Sequence, residues 1–179
     1  MATLIRYLEL PAPTYLGQSS IFEYTNWDGA HTRFNCGQAA ACTLLTHLAK
    51  LDPAAEIMCA VEAAHPPDNL GGYLGTSRRR VERICRAHGI LLDEIAGESE
   101  LRERLSERQP VIVMLQVGGP RVFGYPVPLG HWMVAYGFDR EHVYLTNWGR
   151  MSWDDFRNGW AGRVPWLIRM KNRGLVAQL

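Results

Sequence analysis

The order of two hydrophobic periodicities constrains this chain most. Between residues 36 and 108 apolar side chains recur at helical spacing; from residue 111 onward they come as strand-like runs. Ala40, Leu44, Leu48 and Leu51, with Ala41 and Leu45 beside them, predict a helix over 36–50. Asp52 as N-cap and Pro53 at the first helical position predict a second through AAEIMCAVEAA. Thr76 or Ser77 caps a third, SRRRVERICRAH, which Gly89 ends. A short charged helix, ESELRERLSER, stops at Pro110. VIVMLQV (111–117) then reads as an apolar strand. HWMVAYGFD and EHVYLTNWG read as two more, joined by a turn at Asp139-Arg140, and VPWLIRM (164–170) as a last one. SWDDFRNGW reads as a helical turn capped by Ser152. Helices first and strands second predict an α+β fold rather than alternating βαβ units. The 179 residues fit one domain, 1–179, with a loop-rich segment 1–32, a mostly helical half 36–108 and a mostly strand half 111–170. A cleft between the halves would be lined by both, and the long loop 118–130 is placed to act as a flap over it.

Charge and composition exclude several classes. A formal net charge of +1 argues against a broad electrostatic grip on nucleic acid or an anionic membrane. MATLIRYLELPAPTYLGQ meets charge and proline too early for a secretory leader, and no apolar run approaches the ~18 residues of a membrane span. The expected location is the cytoplasm, although leaderless export leaves no trace in a sequence. Cys36, Cys42, Cys59 and Cys85 form no C-x-x-C pair, so neither a zinc knuckle nor a thioredoxin-like site is expected. The last three read as ordinary free thiols. No metal site and no phosphate-binding glycine loop is visible, and no cofactor is expected. The arginines of the third helix, Arg78, Arg79, Arg80, Arg83 and Arg86, read as a solvated face.

Cys36 stands apart, because it opens a predicted helix directly before a glycine. A thiol attacks as its thiolate, and a helix N-terminus favours that anion through unpaired N–H groups and the dipole. Gly37 leaves room beside the sulfur for a carbonyl. A base is needed next. His47 lies eleven residues along the same helix, out of reach. His65 and His88 end helices, His142 sits in a charged turn, and His31 is close in sequence. His131 follows Gly130 at the start of a strand, a rigid placement for a base facing a nucleophile on a helix. Asn147, sixteen residues on, ends the following strand, and an antiparallel pair brings such positions side by side. Its side-chain oxygen can accept from the imidazole and hold the working tautomer, with Trp148 as a shield.

NCGQAAACTLL resembles the nucleophile helix of papain-like cysteine peptidases. The nearer likeness is to stand-alone relatives of the bacteriocin-processing, double-glycine leader peptidase family. LRERLSERQPVIVMLQV is similar to their helix-then-strand segment, GHWMVAYGFDREHVYLTNWG to their His strand and following hairpin, and MSWDDFRNGW to the Met-Ser and Phe-Trp segment after it. The match runs in blocks from about Asn35 to Trp160; the Cys-Gly block alone is weak, and the ordered set is specific. The resemblance implies a papain-like fold with Cys36 as nucleophile, His131 as base and Asn147 as orienter. Gly37, Gly130, Trp132 and Trp148 would then border the substrate. Two departures matter. The relatives usually carry Asp-Pro at the third position, where this chain has Asn147-Trp148. They also place an oxyanion glutamine about six residues before the cysteine, where Ala30 stands here and His31 follows. Gln18 is the best remaining glutamine, with Asn26 and Asn35 as alternatives.

The expected function is a cysteine hydrolase that cleaves a peptide or other amide bond through a thioester, with a peptide or protein as substrate. Acyl transfer, a transglutaminase-like reaction or side-chain deamidation would use the same triad. A non-catalytic peptide-binding papain-like domain is the third reading.

Overall fold

A computed structural model describes residues 6–9, 16–17, 20–25, 28–29, 34–69, 75–118, 121–122, 125–126, 129–162 and 170–178. Near the N-terminus, β1 (Arg6–Glu9) pairs antiparallel with β3 (Ser20–Glu23), and β2 (Leu16–Gly17) lies between them in sequence. Three helices follow: α1 (Cys36–His47), α2 (Ala55–Ala64) and α3 (Arg78–Ala87). The rest is β4 (Leu92–Ala96), α4 (Gly97–Ser106), β5 (Val111–Val117), a small hairpin of β6 (Arg121–Val122) and β7 (Tyr125–Pro126), then β8 (Leu129–Phe138), β9 (His142–Leu145), β10 (Gly149–Ser152), α5 (Trp153–Ala161) and β11 (Arg173–Ala177).

The main sheet runs β10-β9-β8-β5-β11-β4, with β2 added beside the far end of β8. Alternation along its strands splits the apolar side chains between two cores. Ile112, Trp132, Val134 and Tyr136 face α1, α2 and α3. Val111, Val113, Leu115, Met133 and Ala135 face α4 and α5, where Phe156 and Trp160 fill the space. Arg102 on α4 lays its guanidinium 3.6 Å from the centroid of the Trp153 ring, tying the two helices together over that core. The expected α+β architecture is present, with helices on both faces of one antiparallel sheet.

Differences from the sequence expectations have local causes. Helix α2 begins at Ala55, not beside Pro53, and its N-cap is Ala54 with no side-chain cap. Buried Tyr24 explains the delay: its hydroxyl donates to the Ala54 carbonyl at 3.0 Å and accepts the Ala54 N–H at 3.2 Å, which holds Ala54 extended. Strand β4 was not expected. It alternates charge with one buried residue, Ile95, so its apolar signal is weak. The last described strand is β11; VPWLIRM, expected as a strand, lies outside the described residues apart from Met170. RGLVA finds its place by pairing with both β4 and β5, a long-range match that local pattern does not reveal. Loop 118–130, expected to be a flap, holds β6, β7 and the first two residues of β8 among its described residues.

Tyr24→Phe removes both hydroxyl contacts to Ala54. It is expected to cost about 1 kcal/mol in urea unfolding with the slope unchanged; no loss would mean that α2 starts at Ala55 for another reason.

Candidate active site

Cys36 is the first residue of α1, and Asn35 is its N-cap without a side-chain capping bond. The Asn35 carboxamide is fully buried and turned away from solvent. A Cβ at Gly29 would lie 2.4 Å from its Nδ2 and 2.3 Å from Glu62 Oε2. Asn26, Gln18 and His31 lie outside the described residues.

A network around Thr76 seats helix α1. Thr76 Oγ1 donates to Gln38 Oε1 at 2.6 Å, and Gln38 Nε2 donates to the His65 carbonyl at 2.7 Å. Gln38 is wholly buried, so both ends of its amide are satisfied inside the protein. Gly37 packs flat against this residue: a Cβ there would sit 2.6 Å from Thr76 Cβ and 3.1 Å from Val81 Cγ2. The glycine beside the sulfur therefore permits helix packing. The sequence reading named only the room that a glycine leaves beside the sulfur.

The other half of the site comes from the sheet. Trp132 was expected to border the substrate; its side chain is 1% exposed and belongs to the core. Its indole N–H donates to the Thr76 carbonyl at 2.8 Å, which bolts β8 to the segment entering α3. Its backbone N–H points at the Cys36 sulfur, as do those of Gly37 and Cys36 itself. His131 is the preceding residue, so the start of α1 and the start of β8 meet. Gly130 pairs with Gln116, and His131 with Leu115, on β5.

Asn147 approaches from the next strand. Asp139 fixes the β8–β9 hairpin by accepting the backbone N–H groups of Glu141 and His142 at 2.7 Å and the Tyr144 hydroxyl at 2.6 Å. Burial, joined by the Asp139 carboxylate, pushes Tyr144 up to about 12. Thr146 then pairs with Val134, donating its N–H to that carbonyl at 3.0 Å and accepting the Val134 N–H at 2.9 Å through Oγ1. Asn147 is the next residue, one step nearer His131. It adopts φ +62°, its backbone N–H donates to Glu23 Oε1, and its Nδ2 donates to the Tyr24 carbonyl at 3.5 Å. The structure thus ties Asn147 to the β3 end, and no hydrogen bond joins it to His131. Trp148 does not cover an Asn–His contact either; it is 54% exposed. Glu23, buried at 6% exposure beside Asn147, is a residue the sequence reading missed. Its burial gave no local signal, because a carboxylate in FEYT reads as an ordinary solvent-facing residue.

The electrostatics run against the helix-start expectation. Burial pushes the Cys36 thiol up, and the three N–H groups at the sulfur offset only part of that. Burial also pushes the His131 imidazole down. Each effect disfavours the charged form, so the pair rests as neutral thiol and neutral imidazole. All four cysteines are free, with Cys59 exposed and the others buried. Among the described residues no group of three His, Cys, Asp or Glu side chains could hold a metal ion, and no helix is long and apolar enough to cross a membrane.

The fold is that of a cysteine-peptidase-like domain. It resembles a C39-like peptidase from Bacillus anthracis with TM-score 0.57 and 12% identity, over 82% of this chain and 90% of that one. The peptidase domain of Streptococcus ComA, a bifunctional ABC transporter involved in quorum sensing, matches with TM-score 0.56 and 16% identity, over 81% and 92%. A double glycine motif protease from an AMS/PCAT transporter, solved with its leader peptide, matches with TM-score 0.54 and 15% identity, over 94% and 100%. No family model matches the sequence, and no curated relative does.

Two outcomes follow from these shifts. Iodoacetamide should alkylate Cys36 more slowly than a free cysteine at neutral pH, with the rate still rising above the ordinary thiol value of 9.0; peptide mapping after timed alkylation reads this, and fast labelling near neutrality would contradict the neutral pair. Stability should also be bounded on both sides. Burial raises Cys36, Cys42 and Cys85 above 9.0, Cys85 to about 12, and lowers His47 and His131 below 6.5. The raised thiols contribute stability that is complete below the unfolded value and lost as pH climbs through the folded one. The lowered imidazoles contribute stability that is complete above their unfolded value and lost as pH falls through the folded one. A Tm series is therefore expected to be highest between about pH 6.5 and about pH 9 and to decline on either side.

Proposed function

We propose that this protein is a cysteine hydrolase that cleaves a peptide or other amide bond in a polypeptide. One observation carries the reading: the Cys36 sulfur faces the backbone N–H of Trp132, which places the nucleophile's helix against the residue next to His131. The likeness to peptidase domains, one of them solved with a leader peptide, supports a polypeptide substrate.

With both groups neutral at rest, proton transfer and attack belong to one step. His131 takes the thiol proton as the sulfur adds to the carbonyl carbon. The Cys36 N–H donates to the developing oxyanion. The C–N bond then breaks, and the imidazolium gives its proton to the departing amine. A thioester remains. Water, deprotonated by His131, attacks it, releasing a carboxylic acid and restoring the thiol. Asn147 holds the imidazole once substrate has displaced its weak contact to Tyr24. Gln18 is the candidate for a side-chain oxyanion donor. An amine in place of water would give acyl transfer, and a glutamine side chain in place of the peptide bond would give deamidation.

The neutral thiol, 6% exposed, favours one rival: a peptide-binding domain without turnover. Peptide-library digestion followed by mass spectrometry, with and without an added primary amine, separates these readings. Cleavage is expected for the wild type, with losses of roughly 1,000-fold or more in Cys36→Ala and His131→Ala. Gln18→Ala is expected to lower kcat by about 100-fold if it donates to the oxyanion; an unchanged rate would leave backbone donors alone in that role. Products carrying the amine would reassign the enzyme to acyl transfer. Binding without any product in the wild type would establish the rival.

A further inference from the structure

Beyond the nucleophile and base, the molecule has a pocket that the reaction does not use. It has a volume of about 610 Å³ and lies between the end of β5, the start of β10 and α5. Leu115, Val117 and Met151 supply apolar wall, and Trp148 stands at it. Leu115 and Val117 belong to the α4–α5 side of the sheet, opposite the core that holds Cys36. The pocket nevertheless adjoins the candidate site, since Leu115 lies across the ladder from His131 and Trp148 follows Asn147.

Trp148 is the unusual feature. Among the described residues it and Leu91 are the large apolar side chains left exposed, and Leu91 lines no such cavity. A tryptophan more than half exposed leaves much apolar area in water that a partner could cover. The charges at the pocket decide what kind of partner. Arg150 and Asp155 both line it, one of each sign, so neither a polyanion nor a polycation is favoured. Asp155 is already engaged by the Ser152 hydroxyl at 2.7 Å. An uncharged apolar occupant fits, with Asn158 in the wall as a hydrogen-bonding partner for peptide groups.

We propose that this pocket is an anchoring site, outside the reacting centre, for a large apolar or aromatic side chain of the polypeptide substrate. The side chain stacks on Trp148 over Leu115, Val117 and Met151. This rests on the polypeptide reading of the candidate site but not on turnover.

The test is panning a random dodecapeptide display library on the Cys36→Ala protein and on Cys36→Ala with Trp148→Ala. Because Trp148 is exposed, its loss leaves the core intact, and Trp148→Phe serves as the conservative control. Selection on the first protein should enrich Trp, Phe, Tyr or Leu. Trp148→Ala should abolish that enrichment and weaken the synthesised peptides by about 10-fold or more, with Trp148→Phe recovering most of the affinity. No apolar enrichment, or equal binding by all three proteins, would overturn the proposal. The selected peptides are then given to the wild-type protein. If they bind through Trp148 and are not cut, hydrolysis fails and the pocket stands. If they are cut and binding ignores Trp148, the pocket fails and hydrolysis stands.

Discussion

The indole of Trp132 on the carbonyl of Thr76 is the contact on which the site depends. One residue makes two connections. Its side chain holds β8 to the segment entering α3, and its backbone N–H faces the Cys36 sulfur. Thr76 is shared as well, since it abuts Gly37 and donates to Gln38 on α1. The relative placement of Cys36 and His131 is therefore set by a buried polar chain. Such a chain contributes only about 1 kcal/mol per bond when complete, but an orphaned buried member costs about 1–3 kcal/mol. That asymmetry makes the arrangement specific: a register slip in β8 would strand several groups at once.

Magnitudes explain why the thiol rests protonated. A helix N-terminus favours an anion by about 0.3–1 kcal/mol, well under one pKa unit. Full burial can move a pKa by about 3–5 units in the opposite sense. At Cys36 burial wins. Burial acts in the same sense at His131, against the charged imidazolium.

The sequence revealed what local periodicity and short-range chemistry determine. Helix α1 and strand β5 carry uninterrupted patterns and stand where they were expected. Ser77 and Ser152 cap their helices by accepting the Arg80 and Asp155 N–H groups. Strands β4 and β11 escaped because their identity comes from pairing with each other, 75 or more residues apart in the chain, in the register of Leu92 with Ala177 and Ala96 with Arg173. The same division holds at the site. Cys36 opens α1 and His131 lies near the start of β8, as their sequence positions predicted. The part played by Trp132 and the burial of Glu23 were not so predicted, since both arise from contacts made only after folding. Gly37 shows the opposite hazard: a plausible chemical reason for a residue can conceal a packing reason.

The backbone at Asn147 has an evolutionary consequence. A left-handed φ of +62° restricts that position largely to Asn, Asp or Gly before catalysis imposes anything. Of these, Asn and Asp can accept a hydrogen bond from an imidazole, and Gly cannot. Substitution there is narrowed by the backbone alone, whatever part the side chain plays.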